Sequence, residues 1–575
     1  MHYWECAPLN GGLNVCDRPD RLEAGQASDA CNVWFRRGAL RSRPGQIQRE
    51  DWGLTEPVDT LCDDHQGSWY IQSGGKLWRR RAGQTQELFT LSAGEDGTVG
   101  VGSFVPHSDG GIYFVNGTQF LLIDADTVQT VEPYIPLHLR TGARTGIGGA
   151  VVVERPNLLT RSIRIRYELA EEGTVNSFDL PLACKADEKP SRVVFNSTQI
   201  AISSISGRRV TLAKNCVMNN ATMEVTATLD DWSERDVRRC CRAVMFGTDS
   251  RLVLTGNGSN RYYVSGPFNP GYFPDDGEHA FGSGDPITGI GKLYDLLVMF
   301  KAREFAQIRP ESNYLASTVN PVIGCDMPGS ICTVGNRLVW ANSYGGVQML
   351  VSTSRANERN VRSLSRNVDA WLLREPAHAL QTAAACDWDG HYLLCVGEHV
   401  YVWDYREKPY EGADENAAAR HLAWYCWDGF DVQYWLTQGS TLSYLRRDTS
   451  QVVAVEEGVD DGTEVFAVRW KSGALCPGEP GRYFHADSAV LVIPRDGENS
   501  FTVCACCDER EANIPHERGG ITVTASPTGY TSTKKCALRL RDAQTVSLAF
   551  TAESGGFALQ GLGLEWRPGG RIRQV

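Results

Sequence analysis

Short apolar runs, each broken by a turn and answered by a second run, recur along most of the chain. Gly67-Ser68-Trp69-Tyr70-Ile71-Gln72 turns at Gly74-Gly75 into Lys76-Leu77-Trp78, and Gly111-Ile112-Tyr113-Phe114-Val115 turns at Asn116-Gly117 into Gln119-Phe120-Leu121-Leu122-Ile123. The same grammar returns at 251–265, 296–308, 337–350 and 391–403. Asn116-Gly117 and Asp389-Gly390 are strong hairpin signals, because both residues tolerate the left-handed backbone of a type I′ turn. A lone hairpin buries too little to be stable. Repetition at intervals of roughly forty to fifty residues therefore predicts radial packing, an all-β fold with a β-propeller of about six blades. Neither a WD dipeptide pattern nor a kelch pattern marks the repeats.

Three stretches break the rhythm. Residues 1–55, rich in Gly, Pro and Arg, read as an extended N-terminal arm, with the first part of the propeller at 56–154. Strict alternation in Ile163-Arg164-Ile165-Arg166-Tyr167 and in Ala221–Ala227 predicts strands with one solvated face. These fall in an overlong interval, 155–236, read as a small inserted β-sandwich, after which the propeller resumes at 237–454. From 455 to 575, strand-like runs such as Ala489–Ile493 and Val546–Phe550 alternate with turns, the pattern of a C-terminal β-sandwich. The acidic run Glu456–Gly462 reads as a solvated linker; it lacks the ligand spacing of a calcium loop.

Composition narrows the classes of function. The 58 glycines suit tight hairpins, and a net charge of −12 disfavours tight binding to nucleic acid phosphates. The same acidity suits a conduit that DNA slides through, although it serves solubility equally well. No apolar run approaches a membrane span, and the opening residues lack the basic and apolar regions of a signal peptide, which predicts cytoplasmic synthesis. The 18 cysteines are scattered, mostly within apolar strands, where they act as small hydrophobes. Cys504, Cys506 and Cys507 form the one dense group, and their spacing is not that of a zinc ribbon. No metal and no cofactor is expected.

Catalytic signatures are sparse. The 11 histidines show no HExxH spacing, and neither a GxSxG elbow nor a phosphate-binding P-loop occurs. A glycosidase needs two carboxylates flanking one pocket. The candidates Asp387, Asp389, Asp404 and Asp428 sit at turn positions, where Asp serves the local backbone. The aromatics Tyr262, Tyr263, Trp424, Tyr425, Trp427 and Trp435 suit either a sugar platform or inter-blade packing, and strand periodicity favours packing. Arg79-Arg80-Arg81 reads as a solvated strand end. No catalytic residue is assigned.

Several stretches, taken in order, carry a resemblance. They begin with Gly11-Gly12-Leu13-Asn14, Gly25-Gln26-Ala27, Asn32-Val33, Gly38-Ala39-Leu40 and Arg43-Pro44-Gly45. Further along come Pro156–Thr160, Leu252–Asn257, Tyr263–Gly266, Tyr272-Phe273-Pro274, Ile323-Gly324-Cys325 and the ending Leu562–Arg573. Together they resemble tailed-bacteriophage virion proteins labelled stabilisation proteins, tail hubs or nozzles, across nearly the whole chain. The resemblance implies a structural protein of the virion neck or tail, made in the host bacterial cytoplasm. It implies a homo-oligomeric ring around the DNA exit channel, with docking surfaces for the portal, its adaptor and other tail proteins. Genomic DNA would pass without sequence-specific binding.

Under this resemblance the arm, through Leu13, Val33, Trp34, Phe35 and Leu40, clamps a neighbouring subunit. Equally, it can cap its own propeller by supplying the closing strand. Two other functions compete with the ring: a receptor- or carbohydrate-binding tail module, and a propeller hydrolase of surface polysaccharide for which no carboxylate pair can be named.

Overall fold

The computed structural model describes residues 2–142, 151–169, 173–180, 192–218, 221–228, 236–353, 360–406, 422–456, 458, 460–462, 464–477, 482–494, 499–507, 510–511, 521–525, 531–553 and 556–571. Seven four-stranded antiparallel sheets follow one another as the blades of a propeller. Blade 1 spans 58–90, blade 2 103–130, blade 3 242–280, blade 4 289–320, blade 5 332–363 and blade 6 384–427. Blade 7 joins Val432–Gln438, Thr441–Arg446 and Gln451–Glu456 to a fourth strand from the other end of the chain, Gly45–Asp51.

Apolar clusters join each blade to the next. One packs blade 1 on blade 2 through Tyr70, Leu77 and Phe114, and another packs blade 4 on blade 5 through Phe300, Phe305 and Trp340. The ring closes between blades 7 and 1, where Trp52, Ile71, Leu436 and Leu445 share a cluster. There the Tyr434 hydroxyl donates to the Asp59 carbonyl at 2.6 Å, and the Gln433 amide donates to that of Val58. Second strands such as Leu296–Phe300 are buried along their whole length, because a neighbouring blade covers each face. Their sequences are consequently continuous apolar runs, without alternation.

The expected count of about six blades is corrected to seven. The six hairpins visible in the sequence are blades 1 to 6. Blade 7 was hidden because its edge strands are polar and its fourth strand lies some four hundred residues away in the chain. Asp389-Gly390 forms the expected two-residue turn, both residues being left-handed. Asn116-Gly117 belongs to a wider loop, in which the Asn116 side chain accepts from the backbone N–H groups of Thr118 and Gln119.

The insertion is a small sandwich of a six-stranded and a three-stranded sheet. Ile163, Ile165 and Tyr167 face its core, as alternation predicts. Its start moves from 155 to Leu137, because Leu137–Gly142 pairs in parallel with Ser162–Leu169. Between these strands the chain dips back into the propeller. Leu158 and Leu159 are buried between blades 2 and 3, and the Asn157 amide donates to the carbonyls of Tyr134 and Gly271.

The terminal sandwich is woven from both ends of the chain. His2–Cys6 pairs with Gly561–Arg571, Gln26–Cys31 with Val468–Ser472, and Ala39–Ser42 with Ala558–Leu559. Residues 1–55 therefore form no extended arm, and the domain reaches beyond 455–575. Leu13, Val33, Trp34, Phe35 and Leu40 are all buried in their own chain, in one core shared by the sandwich and blades 5 to 7. Packed inside their own chain, these five side chains are not presented at the surface as the clamp on a neighbour requires. Of the two expectations for the N-terminal region, the closing strand is the one realised.

Candidate functional site

Residues singled out for chemistry are mostly occupied by local duties. Tyr262, Tyr263, Trp424, Tyr425 and Trp427 are buried, and half-buried Trp435 donates its indole N–H to the Ala384 carbonyl at 3.1 Å. They fill the spaces within and between blades and form no exposed platform. Asp387 accepts from the Tyr405 hydroxyl at 2.6 Å and from the Gly335 N–H. Asp389, at its turn, pairs with Arg36 at 3.2 Å. Arg79 and Arg80 pair with Asp126 and Glu50, leaving Arg81 exposed. Cys504, Cys506 and Cys507 lie along Asn499–Cys507, and no group of three potential metal ligands occurs among the described residues.

Two buried polar networks stand out, and the first fastens the propeller to the sandwich. In the first, Arg43 is fully buried and clasps Asp461 with two hydrogen bonds, at 2.9 and 2.6 Å. Its Nε donates to Asn32 Oδ1 at 2.9 Å, and its guanidinium lies 3.8 Å from the Phe466 ring centroid. The Asn32 amide in turn donates to Asp428, between blades 6 and 7. Within the acidic stretch, Asp460–Asp461 pairs with the exposed Glu464–Val465, and the Asp461 carboxylate serves as the anchor of Arg43. A bidentate guanidinium–carboxylate pair fixes distance and angle together.

The second network centres on His391, buried at the start of a blade 6 strand beneath Trp34 and Trp388. Arg406 contacts the His391 Nε2 at 3.0 Å and Asp404 at 3.1 Å. Burial pushes the Asp404 carboxyl up, but the hydrogen bonds and charges of His391 and Arg406 outweigh it and hold the group at about 2.

Beside these networks, a pocket of about 350 Å³ opens between blade 6, the sandwich and the short helix Asp369–Leu372. Glu375 accepts from the Tyr401 hydroxyl at 2.9 Å and bonds the His399 ring at 2.8 Å. That hydrogen bond raises His399 above the usual imidazole value, against the effect of burial. At the floor, Cys31 donates to Asp428; burial first, and then that carboxylate, pushes the thiol up to about 12. A thiol so held is a poor nucleophile. Arg374 and Arg469 border the opening. The arrangement can hold a polar group, and it lacks the activated nucleophile of covalent catalysis.

Sequence reasoning missed Arg43, Asn32 and Asp461 as a unit. Arg43 stood in a noted run, Arg43-Pro44-Gly45, but its partner lies 418 residues away, and nothing local announces it.

No family model and no curated protein matches the chain. Among solved structures, it is similar to the Pan2 WD40 domain of Neurospora crassa, at 9% identity and a TM-score of 0.27, over 74% of this chain and 99% of that one. It is also similar to a chain of the mitotic checkpoint complex, at 8% identity and a TM-score of 0.35, over 72% and 96% of the two chains. At such scores neither likeness bears on function, and the propeller assignment stands on the strand order and ring closure described above.

Proposed function

We propose that this protein is a structural subunit of a bacteriophage neck or tail, of the tail-hub or nozzle class. Copies would form a ring around the DNA exit channel and offer docking surfaces to the portal, its adaptor and other tail parts. The observation that carries the reading is mechanical. The N-terminal segment closes blade 7 and then builds the sandwich with the C-terminal strands, with buried Arg43–Asp461 between the two. A fold fastened in this way resists pulling at either end.

The partnered carboxylates (Asp387 and Asp404 on strands, Asp389 and Asp428 between strands) and the buried aromatics favour a scaffold over a hydrolase, and the ordered sequence resemblance favours a virion. With the five N-terminal apolar residues buried, lateral contact falls to other surfaces. Phe268, Tyr294 and Leu315 are 64%, 71% and 55% exposed, all in turns at one end of blades 3 and 4. Exposed apolar side chains gathered in this way mark contact surfaces.

Negative-stain imaging and mass photometry of the purified chain test the proposal. A closed ring of several copies is expected. Release of reducing sugar from a surface polysaccharide, abolished by a single Asp substitution, would overturn it in favour of a hydrolase.

A further inference from the structure

The seam where the ring closes carries a second cleft, of about 270 Å³, which the structural role does not use. Trp69 of blade 1 stands half-buried on one wall, its ring 6.1 Å from that of buried Trp52. Arg80 is held rigidly, donating to the Gly83 carbonyl at 3.1 Å, the Thr85 hydroxyl at 3.0 Å and the Glu50 carboxylate at 2.7 Å. Gln438 and Ser443 of blade 7 line the opposite wall, and their side chains make no hydrogen bond among the described residues. At the mouth, Gly67 and Gly83 have left-handed backbones, and a Cβ at either would meet only open space.

We infer that this cleft is a binding site for a neutral saccharide ring. An indole face receives the C–H face of a pyranose, and the walls around it must match hydroxyls, each of which both donates and accepts. The Gln438 amide and Ser443 hydroxyl do both, and the second oxygen of Glu50 accepts. Charge selects against the alternatives. Arg80 is neutralised by Glu50, so a phosphate or an acidic sugar would meet a carboxylate without a free cation. The volume lies just below the ~300 Å³ at which pockets for drug-sized ligands begin, a size for one ring and not for a folded peptide. The aromatics that sequence reasoning considered for sugar binding are buried or half-buried elsewhere; Trp69 was visible only as a strand residue.

The test uses the full chain and methyl glycosides of glucose, galactose, mannose and N-acetylglucosamine, followed by saturation-transfer NMR and tryptophan fluorescence. At least one glycoside should bind saturably in the millimolar range. Trp69→Ala should weaken it by about tenfold or more, as loss of a buried stacking contact does. If Trp69→Ala fails to fold, exposed Gln438→Ala combined with Ser443→Ala reads the same site and should also weaken binding. Absence of saturable binding by all four glycosides, or binding unchanged in the folded variants, would overturn the inference. Neither result depends on ring formation.

Discussion

Arg43 shows how one side chain decides the behaviour of a large fold. Its guanidinium is out of water, and the penalty is offset by the paired oxygens of Asp461, by Asn32, by the Pro44 carbonyl and by the Phe430 and Phe466 rings. Arg43→Ala leaves the Asp461 and Asn32 groups without their partner and should lower the unfolding free energy by about 3–5 kcal/mol, measured by urea denaturation. Asp404 makes the fold sensitive to acid. Its carboxyl sits at about 2 in the folded chain against an ordinary 3.8, so it contributes stability above pH 4 that is lost as pH falls toward 2. The loss amounts to roughly 2 kcal/mol, and Asp404→Asn should flatten that part of the stability–pH curve. The burial of Trp424 and Trp427 was legible, since they sit in strand-period runs. The two polar networks were not: Arg43 and Asp461 meet across 418 residues, and the contacts of His391 with Asp404 and Arg406 join the ends of paired strands, so neither leaves a periodic trace.

At the scale of elements, hairpins with a two-residue turn or a long apolar strand announced themselves, and the blade closed by a distant strand did not. Val432–Gln438 and Thr441–Arg446 meet at a polar turn, and their apolar residues face one neighbour only in part. Gly45–Asp51 is exposed over most of its length, so its sequence looks like an arm. Its role comes from its register, with Ala454 opposite Ile47 and Val455 opposite Gln46. Removing residues 1–51 would uncover the edge of Gln451–Glu456 and also strip strands from the sandwich. The truncated chain should lose its cooperative thermal transition and become protease-sensitive. A transition unchanged from that of the full chain would show that the closing strand is dispensable. The insertion was legible from alternation, but its true start at Leu137 was masked by the return of Leu158 and Leu159 to the propeller core.

For the whole molecule, one core runs through blades 5 to 7 and the sandwich, so these parts should unfold together. Blades 3 and 4 lie outside that core and present Phe268, Tyr294 and Leu315 to solvent. If copies meet there, Tyr294→Glu with Leu315→Glu should break the assembly without unfolding the subunit, since both side chains are exposed and mutation at such positions seldom costs stability. The most direct measurement is mass photometry of the wild-type chain and this double variant across a range of concentrations. A ring of several copies for the wild type, falling to monomer in a folded double variant, is the predicted result. A wild-type chain that stays monomeric at every concentration would contradict the account.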